Sequence, residues 1–194
     1  VECVYDISVG TPSVTSSCNL GTVVTTSGPT LTHGVDNCAG ASYVITYTVI
    51  DICGRSASCN QTFTIENDPL TIVCPIDATV ECENDIKLGT PIVTTSCNMP
   101  STTSTVGPTL VSGTRNCYGA KYEIVYSVVD ACGRSASRTQ TFTIVNEGPE
   151  ITCPANVNIT CINEITQGIP SVISACGLDT EIFVALPSIG TFQA

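Results

Sequence analysis

Apolar and polar positions alternate with period two along the most strongly patterned stretches. Residues 121–130 place Tyr122, Ile124, Tyr126 and Val128 on one face, and residues 42–51 do the same with Tyr43, Ile45, Tyr47 and Val49. This is the pattern of a half-buried strand. The Cys-Gly-Arg-Ser-Ala-Ser stretch that follows supplies a turn. Residues 140–145 then alternate again, with Phe142 and Ile144 inward and threonines outward, so the pair predicts a β-hairpin. Shorter Thr- and Val-rich runs near 71–74, 78–82, 91–96, 101–106 and 109–115 are broken by Pro75, Gly89, Pro91, Pro100, Gly107 and Gly113, which predicts seven short strands per unit. No dozen-residue window carries helical apolar spacing, and β-branched residues dominate every apolar run. The expected class is all-β.

The pattern repeats. At an offset of 79 residues, 43 of 79 positions are identical between residues 1–79 and 80–158, without insertion or deletion. Val1-Glu2-Cys3 returns as Val80-Glu81-Cys82, Gly28-Pro29-Thr30-Leu31 as Gly107-Pro108-Thr109-Leu110, and Gly54 to Ser58 as Gly133 to Ser137. A third copy begins with Ile159-Thr160-Cys161, Gly168-Ile169-Pro170 and Ala175-Cys176 and is incomplete, Leu186 to Ile189 still keeping the register. Polar joints at Glu66-Asn67-Asp68-Pro69 and around Asn146-Glu147 divide the chain into 1–66, 67–146 and 147–194. Seven strands in such a unit fit tandem immunoglobulin-like β-sandwiches. The first unit lacks the opening strand that 70–74 supplies to the second, and the third has an opening strand without a closing hairpin. Neighbouring copies could therefore complete one another by strand donation, although a chain cut from a longer array explains the same ends.

Composition narrows the compartment and the partners. Thirteen cysteines in 194 residues suit an oxidising, extracellular, cell-surface setting. Seventeen acidic against six basic residues, a formal charge of −11, is the wrong sign for nucleic acid or anionic lipid. No apolar run is long enough to span a bilayer, so no membrane insertion is expected. The sequence opens at Val1 without an initiator Met, a charged n-region or an apolar h-region, so any signal peptide is expected to have lain upstream or to have been removed.

A unit of 79 residues barely buries enough apolar surface to offset chain entropy, which gives covalent staples a use. The repeating cysteines are Cys3/82/161, Cys18/97/176, Cys38/117, Cys53/132 and Cys74/153; Cys59 alone breaks the pattern, because Arg138 holds its equivalent place. A local scheme joins Cys74 to Cys82, Cys153 to Cys161, Cys18 to Cys38, Cys97 to Cys117 and Cys53 to Cys59, leaving Cys3, Cys132 and Cys176 unpaired or intermolecular. A competing scheme joins Cys82 to Cys117, Cys97 to Cys132 and Cys59 to Cys74, with Cys153 unpaired. Spacing alone leaves both open.

The runs Ile72-Val-Cys-Pro75, Thr79-Val-Glu-Cys82, Val49-Ile-Asp-Ile-Cys-Gly54, Ser58-Cys-Asn-Gln-Thr-Phe-Thr-Ile65 and Ile151-Thr-Cys-Pro154 resemble hyalin-repeat (HYR-like) domains. That resemblance covers the whole repeat. It implies an immunoglobulin-like fold in long extracellular arrays of bacterial surface and adhesion proteins, without catalytic residues. The chain departs from the family pattern in lacking tryptophan, in carrying Gly-Arg where Gly-Asn is frequent, and in the loss of a cysteine at Arg138.

Candidate chemistry is sparse. His33 is the single histidine and its equivalent is Ser112, so no histidine-based triad or zinc site can repeat. No phosphate-cradling glycine loop or nucleophile elbow occurs. Asp51 with Arg55, and Asp130 with Arg134, are expected to clamp the hairpin turns. Glu66, Asn67 and Asp68, with Asn146 and Glu147, resemble the acidic linkers that hold calcium between cadherin-like domains, against the plainer reading of solvated linkers. Asn60 and Asn158 lie in formal glycosylation sequons. The function expected is a structural or adhesive element of a surface fibre, filament or stalk, with neighbouring repeats or copies as partners and no enzymatic activity. A carbohydrate- or protein-binding module of a secreted multidomain protein is the alternative.

Overall fold

A computed structural model describes residues 1–15, 21–161 and 164–185. Strands dominate the described residues, helical structure there being confined to short 3-10 turns, and no helix is long and apolar enough to cross a membrane. The first repeat folds as a three-stranded antiparallel sheet, in the order β1 (Thr22–His33), β2 (Ser42–Asp51), β3 (Ser56–Thr64). The next six strands are β4 (Thr71–Val73), β5 (Ala78–Val80), β6 (Ile92–Thr94), β7 (Ser101–Ser112), β8 (Lys121–Asp130) and β9 (Ser135–Ile144). They form a four-stranded sheet ordered β5-β9-β8-β7 and a two-stranded ribbon of β4 with β6. Another ribbon joins β10 (Glu150–Thr152) to β11 (Ser171–Ile173).

The predicted hairpins form. In the first, Tyr43 faces Phe63 and Tyr47 faces Cys59 across the ladder, and Tyr43, Ile45 and Tyr47 are buried while the alternate positions are not. The strand count is corrected. Runs 101–106 and 109–115 make one strand, β7, which passes straight through Gly107-Pro108, so residues 67–146 hold six strands and not seven. Two features reconcile that proline with a strand. β7, like β1, lies at a sheet edge, where a missing N–H breaks no ladder bond. Gly107, with φ of 119°, has no side chain to strike its neighbour: a Cβ there would lie 2.5 Å from the Glu123 carbonyl oxygen. The peptide bonds Gly28-Pro29 and Gly107-Pro108 are both cis, and the β1–β2 register shifts between Ser27 and Thr30.

The chain gathers into two compact units, one drawing on the first and second repeats and the other on the second and third. The first comprises Val1–Pro75, Gly89–Val106 and Val125–Thr139, the second Ile76–Leu88, Gly107–Ile124 and Gln140–Ala194. In the first unit Ala41, Tyr43 and Ile65 form a buried cluster that Val4 and Ile7 flank, and Ile72, Met99, Tyr126 and Val128 are also buried. In the second, Ala120, Tyr122, Ile124, Phe142 and Ile144 are buried, and β5 runs parallel to β9, Ala78 beside Phe142 and Val80 beside Ile144. Each fully buried aromatic or aliphatic side chain stabilises its unit by about 1.5–3 kcal/mol.

Candidate functional site: the cross-linked joints

Among the described residues three disulfides are formed, Cys3–Cys97, Cys38–Cys132 and Cys82–Cys176, each with a sequence separation of 94 and Cα atoms 5.4 to 5.6 Å apart. That separation is one repeat plus the fifteen residues between Cys3 and Cys18 or between Cys38 and Cys53. Every bridge therefore joins one repeat to the next, and no bridge observed closes within a repeat.

The first joint is built from four short segments. Cys3 precedes a 3-10 turn, and its N–H is accepted by Asp6 Oδ2 at 2.9 Å. Cys97 sits inside the turn Ser96–Asn98 in the left-handed region, φ 55°, which aims its sulfur back at the chain start, 3.1 Å from the Glu2 carbonyl oxygen. Asn67, from the predicted linker, donates its Nδ2 to the carbonyls of Glu2 and Asn37, both at 3.0 Å. Asn37, itself at φ 58°, accepts the Val4 N–H on Oδ1 at 2.9 Å. Backbone groups that no strand ladder satisfies are thereby paired by side chains, as buried polar groups require.

The arrangement recurs one repeat later. Cys176 is also left-handed, φ 59°, with its sulfur 3.1 Å from the Glu81 carbonyl oxygen. Asn146 Nδ2 donates to the Asn116 carbonyl at 2.6 Å, and Asn116 Oδ1 accepts the Glu83 N–H at 2.8 Å. The third bridge, Cys38–Cys132, has Met99 beside it, Cys132 Sγ lying 3.2 Å from Met99 Sδ.

Both pairing schemes expected from the sequence are overturned. Cys3, Cys132 and Cys176, left unpaired or intermolecular by the local scheme, are bonded. Cys53, Cys59, Cys74, Cys117, Cys153 and Cys161, which that scheme bonds, carry free thiols, Cys153 as the competing scheme had it. The β2–β3 register gives the reason for the first hairpin: Cys59 faces Tyr47 across the ladder, while Cys53 sits in the turn beyond Asp51. Cys38, Cys82 and Cys97, whose local partners were to be Cys18, Cys74 and Cys117, are engaged by the neighbouring repeat instead. Cys18 lies outside the described residues.

The hairpin turns carry the expected clamps. Asp51 Oδ1 accepts the N–H groups of Cys53 and Arg55, and its Oδ2 pairs with the Arg55 guanidinium at 2.7 Å. The backbone N–H of Arg55 is the main reason the Asp51 carboxyl titrates below its ordinary value. Asp130 and Arg134 repeat the geometry in a buried setting, and Arg134 Nη1 reaches on to the Asp68 carbonyl at 2.7 Å. Burial pushes the Asp130 carboxyl up, yet the side-chain and backbone hydrogen bonds from Arg134 outweigh it and hold the net value low.

The calcium candidates are not gathered into one cage. Asn67 and Asn146 turn their amide nitrogens to carbonyls, Asp68 offers its carbonyl to Ser96 and Arg134, and Glu66 and Glu147 are exposed. Among the described residues no cluster of three or more His, Cys, Asp or Glu is placed to hold a metal ion. His33 ends β1 in an exposed position opposite Ser42. Asn60 lies on β3 with Oδ1 accepting from Thr46, and Asn158 is exposed. Asn67 and Asn146 were expected at the joints, but as calcium candidates and not as donors to backbone carbonyls, and Asn37 and Asn116 were missed; the recurrence of both pairs at one offset was the available signal. No protein-family model and no curated protein matches the chain.

Proposed function

We propose that this chain is a tension-bearing segment of an extracellular fibre or stalk, assembled from tandem immunoglobulin-like repeats of the HYR-like kind. The observation that supports this reading is the common separation of 94 residues in all three bridges. A disulfide inside a domain restrains that domain alone. A bridge from each repeat to the next gives the chain a covalent short cut, so that tension need not unfold the hairpins between the bridged cysteines to be transmitted. An oxidising compartment is where such bridges persist. No chemistry is required of the side chains beyond positioning the sulfurs, and we assign no enzymatic activity.

Stretching the chain from its two ends tests this. With the bridges intact, tension runs from Val1 to Cys3, crosses to Cys97, follows the backbone back to Cys82, crosses to Cys176 and continues to the far end. At the reach of an extended chain that path is about 130 Å, whereas the reduced chain extends to about 650 Å. Single-molecule force measurements should give the short limit without reductant and the long one with it. A long limit under oxidising conditions would contradict a tension-bearing role.

A further inference from the structure

β1 leaves one whole edge of its sheet unpaired. It is the outermost strand of the order β1-β2-β3, twelve residues long and exposed throughout. The exposure belongs to the strand and not to its place in the chain. β7 is the same strand one repeat later, and it too is an edge strand exposed along its whole length. The second repeat follows β1 and the first repeat precedes β7, yet among the described residues neither covers the strand it adjoins. Because the two strands are equivalent, an array neighbour on either side leaves this edge open.

Long open edges are normally guarded by charge, proline or a bulge, since their free N–H and C=O groups can pair with another strand. The guard on β1 is partial. Gly28-Pro29 and the register shift between Ser27 and Thr30 interrupt its middle. The run before them, Thr22 to Ser27, reads Thr-Val-Val-Thr-Thr-Ser and holds no charge, glycine or proline. A β-branched run of that kind on an edge is a template for a further strand. The sheet behind it is equally bare: across β1, β2 and β3 the one carboxylate is Asp51, which Arg55 neutralises, and no lysine or arginine lies on them. β8 and β9 carry Lys121, Glu123, Asp130 and Arg138. A formal charge of −11 opposes the approach of two copies. Salt screens that repulsion beyond about 8 Å, so an uncharged edge is where their meeting is least opposed.

Three differences between the repeats set β1 apart from β7. Val23, Ile50 and Ile52 stand where the second repeat has Thr102, Val129 and Ala131, each the larger or the more apolar choice. They are 65%, 43% and 72% exposed. Val23 pairs with Ile50 on the ladder, a Cβ on Gly21 would lie 3.7 Å from the Ile52 side chain, and Val23, Ile50 and Ile52 line one shallow depression at the start of β1. Single exposed apolar residues are ordinary, but a contiguous group beside an open edge marks a surface that a partner covers.

We propose that Thr22–Thr26 of one chain pairs antiparallel with Thr22–Thr26 of a second copy, about a two-fold axis at Val24, which joins two three-stranded sheets into one of six. Opposite residues of an antiparallel ladder share a face, so this register sets Val24 against Val24, Val23 against Thr25 and Thr22 against Thr26. On the face that carries Ile50 the apolar row runs on through Val23 to the partner's Thr25. The main chain supplies the attraction and the valines set the register, as in other strand additions. In a fibre this is a lateral contact. The inference goes beyond the fibre reading and does not rest on it, because it needs only the sheet of the first repeat, which lies wholly in the first compact unit.

The test uses the full chain with its three bridges intact and its free thiols alkylated, so that no oligomer is covalent. Sedimentation velocity over a concentration series reads the assembly state, and hydrogen exchange at each concentration reads which amides it protects. The expected result is a monomer–dimer equilibrium in which amides of residues 22–27 gain protection with concentration while those of 101–106 do not. Thr25→Lys, at an exposed position, puts like charges on one face of the junction and should raise the dimer dissociation constant about tenfold or more. Ser104→Lys, the equivalent change on β7, should leave it unchanged. Val23→Thr with Ile52→Ala installs the residues that the second repeat carries in the same fold, and should weaken the dimer several-fold without lowering the melting temperature. A chain that stays monomeric at millimolar concentration would overturn the proposal, as would a dimer that Thr25→Lys leaves intact or that Ser104→Lys weakens equally. The extension limit of a single chain does not depend on lateral pairing, so this inference and the fibre reading can fail separately.

Discussion

Individual residues in the two repeats reach the same geometry by different chemistry. Position 4 is Val and position 36 is Asp in the first repeat; their equivalents are Glu83 and Arg115. In the first, the Tyr43 hydroxyl donates to Asp36, and burial followed by that bond raises the Tyr43 pKa. In the second, the Tyr122 hydroxyl donates to Glu83, which also pairs with Arg115 at 2.5 Å. The acceptor has moved to another segment, yet the tyrosine, the asparagine beside it and the bridging cysteine keep their places. The two turn clamps differ in burial, and that decides their worth. Asp130→Asn leaves the Arg134 guanidinium without its counter-charge in a largely buried site, an expected loss of about 3 kcal/mol, whereas Asp51→Asn, at an exposed turn, should cost much less. Because the folded Asp130 pKa is depressed, its contribution is fully present above the unfolded value, about 3.9, and disappears as pH falls through the folded value. Thermal melts of wild type and Asp130→Asn should differ at neutral pH and converge toward acid; a constant gap down to pH 2 would contradict this account.

At the scale of elements, β1 and β7 are long, threonine-rich edge strands exposed along their whole length. Their continuity depends on Gly28 and Gly107. Gly107→Ala puts a Cβ against the Glu123 carbonyl at a φ that L-residues avoid, with an expected cost of about 1–3 kcal/mol, read as a lowered melting temperature. An unchanged melt would mean that β7 is not a single strand. This element also marks what the sequence could and could not reveal. The tyrosine-isoleucine alternation on β2 and β8 made the hairpins legible, because period two is written in side chains. A Gly-Pro pair, by contrast, reads as a break in local pattern, and only its place on a sheet edge makes it compatible with a strand. The turn clamps were legible because Asp and Arg are close in sequence; the joints were not, because Asn67, Asn37 and Glu2 meet only after the chain has returned on itself.

For the whole molecule, the central fact is a pairing rule that crosses repeats. Cysteines spaced 15, 20, 15 and 6 apart permit many connectivities, and treating each repeat as a closed domain selects the local ones. The two equal spacings of 15, Cys3 to Cys18 and Cys38 to Cys53, were the remaining trace of a bridge displaced by one full repeat. Compact units that each draw on two repeats follow from the same displacement.

The most direct measurement is a disulfide map of the oxidised chain, digested without reduction and read by mass spectrometry. The account predicts peptides joining Cys3 to Cys97, Cys38 to Cys132 and Cys82 to Cys176. Peptides joining Cys97 to Cys117, or Cys74 to Cys82, would close the bridges locally and contradict it.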